Sequence, residues 1–377
     1  MSHRPGRLRR LCRAFTVLAL TAAVGAPGTV ALGDSPPRPG SLRPWVKSCV
    51  RHRGPEGLVN CLGKHGRPGA PSRPGASQTL RTPTIDELAT PTADSAPVGI
   101  TAGPDDALWF TENAANAVGR VTTAGTFTEY SVPTSGSGPA GITAGPDGAL
   151  WFTESGADKI GRITTGGTIT EYALPTSGAY PWGITAGPDG ALWFTESGAD
   201  KIGRITTGGT ITEYALPTSG AFPLSITAGS DGALWFTEVL SGSVGTITTG
   251  GSVTEYAVPS SGSLPIGITA GPDDALWFTD AGASQIGQVT TAGVFTAYDL
   301  TDPVFFPFPW GITSGPDGAL WFTENVGNDI GRITTSGTIS ELSIPTSGAS
   351  PLEIATGSDD NLWFTENTVS QIGKVTP

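Results

Sequence analysis

The sequence predicts an all-β fold, a seven-bladed β-propeller of four-stranded blades. Three observations point there: a phrase repeated seven times at near-constant spacing, a four-strand pattern inside each copy, and chain ends that complete each other.

The repeated phrase is ITAGPDGALWFTE. Its first residue falls at Ile100, Ile142, Ile184, Ile226, Ile268, Ile312 and Ile354, at spacings of 42, 42, 42, 42, 44 and 42 residues. Its tryptophan recurs at Trp109, Trp151, Trp193, Trp235, Trp277, Trp321 and Trp363. A period of about 40 residues marks a stacked repeat in which each unit buries its apolar faces against its neighbours. The glycine, threonine and proline content excludes helical repeats.

The second copy shows the four strands. Gly141–Ala144 is the first, and Gly145-Pro146-Asp147-Gly148 supplies turn residues. Ala149–Glu154 is the second, apolar on both faces through Leu150, Trp151 and Phe152, as a strand between stacked blades must be. Lys159–Thr165 is the third. Gly166-Gly167 reads as a two-residue hairpin loop, and Thr168–Leu174 is the β-rich fourth strand.

A two-residue loop sets Arg162 opposite Glu171. The same register pairs Arg120 with Glu129, Arg204 with Glu213 and Arg332 with Glu341; Thr246 faces Glu255, and Gln288 faces Ala297. Such pairs are expected to be structural, worth ~0.2–1 kcal/mol each. The seventh copy stops after its third strand, at Ile372–Pro377. Its missing fourth strand is found at Thr84–Pro91, which places Lys374 opposite Glu87 and closes the ring without an open sheet edge.

Residues 1–32 carry arginines followed by a broken apolar stretch, the pattern of a secretory signal peptide. Residues 33–83 form a basic linker rich in proline and glycine, and 84–377 form the propeller. Cys49 and Cys61 are an even pair in an exported chain, so a disulfide between them is expected. The chain is therefore expected to be secreted and monomeric, with no membrane span. Residues 84–377 hold seven Lys/Arg against 31 Asp/Glu, a balance near −24 that argues against nucleic acid as a partner. The basic linker either touches an anionic cell envelope or is simply solvated.

The stretch ALWFTESGADKIGRITTGGTITEYALPTSGAYPWGITAGPDG resembles the streptogramin B lyases (virginiamycin B lyases), and the resemblance covers residues 84–377. It implies a seven-bladed propeller. It also implies opening of a cyclic depsipeptide antibiotic at its ester by elimination, with magnesium (Mg2+), histidine and glutamate. In that family the histidines sit in a P-H-[AG]-I phrase. Here the residue after the proline reads Val98, Ala140, Trp182, Leu224, Ile266, Trp310 and Leu352, and all three histidines of the chain precede the repeats. The expected base is absent.

Glu353 is the only acid in that phrase and the one candidate for a substitute catalytic base. Strand alternation turns it away from the face of its neighbour Leu352. The acids ending WFTE (Glu112, Glu154, Glu196, Glu238, Asp280, Glu324 and Glu366) either hold a divalent cation or, as residues common to all blades, serve the blade itself. The segments entering the first strand are aromatic or apolar in some copies, giving Tyr180, Trp182, Phe222, Leu224, Phe308, Trp310 and Leu352. These are expected to line the channel mouth and bind a ring-bearing or sugar-like small molecule or glycan, or else to pack together as a plug. With no histidine or cysteine in the repeats, Ser/His/Asp and Cys/His catalysis is excluded. Three functions stay open: a ligand-binding relative without the family's chemistry, an active lyase or hydrolase using carboxylates and a divalent metal, and a structural or protein-binding propeller at the cell surface.

Overall fold

The computed structural model describes residues 83–300 and 306–377. The export segment, the Cys49–Cys61 pair, the linker as far as residue 82, and Phe305 lie outside the described residues.

Seven four-stranded antiparallel sheets are present, each running from an inner to an outer strand. Blade 2 has strands Pro139–Ala144, Leu150–Glu154, Lys159–Ile163 and Ile169–Ala173. Blades 1 and 3 to 6 repeat this order. Blade 7 joins Pro351–Thr356, Leu362–Glu366 and Gln371–Thr376 to Thr84–Ala89 from the other end of the chain. All six residues of that terminal strand pair, from Thr84 with Thr376 to Ala89 with Gln371.

The Arg–Glu register is corrected by one residue. Arg162 faces Thr170, and Glu171 faces Gly161. The cause is the hairpin loop, which has three residues instead of two. Thr164 N–H donates to Thr168 O at 3.0 Å, and Gly167 N–H donates to Thr164 O at 2.8 Å. Gly167 has φ +88°, the left-handed residue of a bulged three-residue loop. A Cβ there would also strike the Tyr130 ring of the preceding blade.

The one-residue shift gives every charge a different partner. Arg162 Nε reaches Asp147 Oδ2 at 2.7 Å, while Trp151 Nε1 donates to Asp147 Oδ1 at 3.0 Å. The guanidinium lies 5.9 Å from the Trp151 ring centre, and Tyr172 stacks on Trp151 at 5.6 Å. The turn aspartate, the tryptophan and the arginine thus form one unit in blades 1, 2, 3 and 6. Arg120, Arg204 and Arg332 join Asp105, Asp189 and Asp317 in the same way. Lys374 pairs with Asp359 instead of Glu87, and Gln288 donates to Asp273 instead of facing Ala297. Thr246 faces Thr254 rather than Glu255.

Neighbouring blades share apolar cores: Trp151, Ile160 and Leu174 of blade 2 bury against Ile184, Leu192 and Phe194 of blade 3. A threonine then latches each inner strand to the next. Thr153 Oγ1 accepts from Gly141 N–H at 2.9 Å and donates to Trp182 O of blade 3 at 2.7 Å. In blade 7, Thr365 Oγ1 donates to Val98 O of blade 1 at 2.8 Å, so the latch also closes the ring.

Candidate functional site

The inner strands surround a channel, and the residues at the family's histidine position meet there. Val98, Ala140, Trp182, Leu224, Ile266, Trp310 and Leu352 are all buried in one apolar cluster. A bulge in each inner strand, between the proline and the isoleucine two residues beyond the slot, turns these side chains inward. Phe308 is fully buried in the same cluster.

Among the residues expected at the mouth, Trp182, Leu224, Phe308, Trp310 and Leu352 therefore come together as packed interior. Phe222 is half-buried against them. Tyr180 is 51% exposed. Phe306, 45% exposed, lies 5.9 Å from Phe308, which lies 6.2 Å from Trp310. This aromatic series runs from solvent into the channel. Leu240 and Val326, both half-buried, add apolar surface from the turns between second and third strands. These two were missed in the sequence. The signal was there: Leu240 and Val326 stand where copies 2 and 3 have Gly156 and Gly198.

Three of these aromatics stand on left-handed backbone. Tyr180, Phe222 and Phe308 have φ of 47°, 58° and 53°, where the equivalent residue of blade 2 is Gly138. A left-handed non-glycine residue costs ~1–2 kcal/mol. Tyr180 N–H donates to Asp158 Oδ1 at 3.1 Å, and Tyr180 O accepts from Ser197 Oγ at 2.8 Å. The backbone is fixed on both sides while the ring stands in solvent.

Glu353 is one residue farther along its strand than Leu352. It lines a channel cavity of about 150 Å³ with Val98, Gly141, Trp182, Ser225 and Ile268. Burial pushes its carboxyl up to about 7, against a hydrogen bond with the Trp310 side chain that lowers it.

The WFTE acids are buried within their own blades. Burial pushes Glu154 up to about 8, and the neighbouring Glu171 charge adds to the rise. Glu112 and Glu366 are raised to about 7 and about 8 by burial and by Glu129 and Glu87. Among the described residues, no three His, Cys, Asp or Glu side chains converge where a metal ion could be held. The residues present do not form a magnesium site, and no step is derived through one.

These neutral acids give stability a pH dependence. The folded chain keeps the Glu154 proton to about pH 8, whereas an unfolded glutamate releases it near 4.5. The unfolded state thus binds fewer protons in this window, and stability falls as pH rises through it. Asp147 moves the other way: hydrogen bonds from Trp151 and Arg162 outweigh its burial and hold it below 3.8, so its contribution is lost only in stronger acid. The melting temperature is therefore expected to peak at mildly acidic pH and to decline toward pH 8. Glu154→Gln, which mimics the neutral carboxyl, should flatten that decline, by on the order of 1 kcal/mol at pH 8. Identical melting profiles for variant and wild type from pH 5 to 9 would count against this.

Comparison with known proteins agrees with this architecture. Residues 83–308 and 306–377 match the model of the virginiamycin B lyase family. A solved streptogramin B lyase is 41% identical with a TM-score of 0.76, covering 80% of this chain and 99% of its own. Selenomethionine virginiamycin B lyase from Staphylococcus aureus is 42% identical at TM-score 0.75, covering 78% of this chain and all (100%) of its own. A catalytically inactive histidine-to-alanine form of that enzyme, solved with quinupristin, gives the same values: 42%, 0.75, 78% and 100%.

Proposed function

The chain belongs to the virginiamycin B lyase family, and we propose that it is a binding member that does not carry out the elimination. One observation carries this reading. Apolar side chains fill the position of the family's histidine in all seven blades and pack into a single buried cluster. No imidazole is available there to take a proton.

The binding surface is the aromatic rim beside that cluster. Tyr180 and Phe306 offer exposed rings, and Phe222, Leu240 and Val326 offer half-buried apolar surface packed against the central cluster. Fixed aromatics over an apolar floor suit a ring-bearing small molecule, such as a cyclic depsipeptide or a glycan. Export through residues 1–32 and action as a secreted monomer belong to the same proposal.

Glu353 favours a second reading, catalysis by a carboxylate. With its carboxyl raised to about 7, it would be partly charged and partly protonated at neutral pH, as a general base requires. The cavity it lines is bordered by slot residues and not by Tyr180 or Phe306, which weighs against contact with a ligand on the rim.

Titration with a streptogramin B and with a chitin-type oligosaccharide, followed by tryptophan fluorescence, tests the binding reading. Saturable quenching is expected for one of the two. Tyr180→Ala combined with Phe306→Ala should weaken it about tenfold or more, the scale of losing two aromatic contacts. No saturable signal with either probe, or an unaltered affinity in the double variant, would refute it.

A further inference from the structure

We propose that blade 5 carries, at its outer edge, a binding site for a small carboxylic acid the size of acetate. The site is the space that a glutamate side chain fills in other blades.

In blade 2, the outer-strand Glu171 reaches back to the loop that precedes the blade. Its Oε1 accepts from Thr134 N–H at 2.9 Å and its Oε2 accepts from Thr134 Oγ1 at 2.7 Å. Lys159 Nζ donates to it at 2.9 Å, and Glu154, whose carboxyl burial pushes up to about 8, lies beside it. Glu129, Glu213 and Glu255 hold Thr92, Thr176 and Thr218 in the same way.

Blade 5 keeps the surroundings and drops the glutamate. Ala297 pairs with Gly287 as Glu171 pairs with Gly161. The lysine is Gln285, the threonine is Ser260 and the buried acid is Asp280. These residues, with Phe278 and Phe295, line a cavity of about 120 Å³. Ala297 is exposed, so the cavity opens at the blade edge.

Two polar groups are left to meet a carboxylate, the Ser260 N–H and the Asp280 Oδ2, because the Ser260 hydroxyl and the Gln285 amide already donate elsewhere. Ser260 N–H corresponds to the Thr134 N–H that donates to Glu171, and no glutamate is there to accept it. Ser260 Oγ donates to Gln285 Oε1 at 2.7 Å, and Gln285 Nε2 donates to Asp299 Oδ1 at 2.6 Å. Asp280 is 1% exposed; its Oδ1 accepts from Leu264 N–H at 2.8 Å and Ala283 N–H at 3.1 Å. Its Oδ2 is buried without a hydrogen-bond partner, with the Ser263 hydroxyl nearby. Burial raises the Asp280 carboxyl despite those backbone donors. In its protonated form the Asp280 carboxyl has an O–H to donate to a bound carboxylate.

Ala297 already supplies the Cβ of the missing side chain. The absent atoms are one methylene and one carboxylate, the composition of acetate, whose methyl would sit in van der Waals contact with the Ala297 Cβ, ~3.5–4.0 Å away. A divalent cation fits poorly, because it needs six or more oxygen ligands and the cavity offers one carboxyl with a few neutral groups.

The test uses the full chain and sodium acetate, with sodium chloride at equal ionic strength as control. Saturation transfer from protein to the acetate methyl is read by NMR, and the unfolding midpoint is read alongside. Acetate has few atoms, so dissociation constants of roughly 0.1 mM and above are expected. Wild type should give a saturable methyl signal and a rise in midpoint over the chloride control. Ala297→Glu, which restores the repeat, should abolish both. Ala297→Gln fills the same space without charge and should do likewise, so a folding failure of one variant does not decide the matter. No saturable signal in wild type, or the same signal in the folded variants, would overturn the proposal.

Discussion

A chain lacking Thr84–Ala89 is expected to lose cooperative folding at the temperature where the full chain is stable. The strand supplies the outer edge of blade 7 through six register pairs with Gln371–Thr376. Ile85 packs against the core shared by blades 6 and 7, and Leu88 against the core shared by blades 7 and 1. Glu87 accepts from Thr346 N–H at 2.9 Å, and Thr90 N–H, just beyond the strand, donates to Ser370 O at 3.0 Å. Ile85 and Leu88 are half-buried, so each contributes up to the ~1.5–3 kcal/mol of a fully buried aliphatic side chain, and the strand exposed in their place has unpaired backbone groups. The combined loss approaches the whole stability of an ordinary domain, ~5–15 kcal/mol. Thermal unfolding with size-exclusion chromatography checks it. A monomeric truncated chain with an unchanged midpoint would show that the ring does not depend on its terminal strand.

The second large effect is on chemistry. Elimination at an ester requires a base within hydrogen-bond reach of the proton beside the carbonyl. A positioned base contributes ~10²–10⁴-fold by itself. In this chain the side chains at that position are Val98, Ala140, Trp182, Leu224, Ile266, Trp310 and Leu352, packed against one another out of solvent. Ring opening of a streptogramin B is therefore expected at the uncatalysed rate. Glu353→Gln should leave that rate unchanged, since the cavity that Glu353 lines does not include the rim aromatics Tyr180 and Phe306.

The propeller was legible in the sequence because its signals are redundant. Seven copies of one phrase fix the blades, and Thr84–Pro91 aligns with the fourth strands. The pairing register was not legible. Thr164–Thr168 accommodates either a two-residue or a three-residue loop, and only the left-handed Gly167 within the observed hydrogen bonds decides between them. That one residue moves Arg162 from Glu171 to Asp147 and hands Glu171 to Lys159.

The candidate site was legible as a set of positions and less so as an environment. Trp182 and Trp310 stood out as departures from the repeat, but their depth depends on the inner-strand bulge and on neighbours from other blades. The loss of a glutamate at Ala297 was visible as well. With the register one residue off, it was matched to Gln288, whereas the space it leaves is bounded by Gln285.

The central claim is that this family member binds without cleaving. The most direct measurement is prolonged incubation of the pure protein with a streptogramin B and magnesium, followed by liquid chromatography with fragmentation. Mass alone is insufficient, because the linear elimination product is an isomer of the cycle. The account predicts that the cyclic depsipeptide is recovered intact, at the level of a protein-free control. A linear product accumulating in proportion to protein concentration would contradict it.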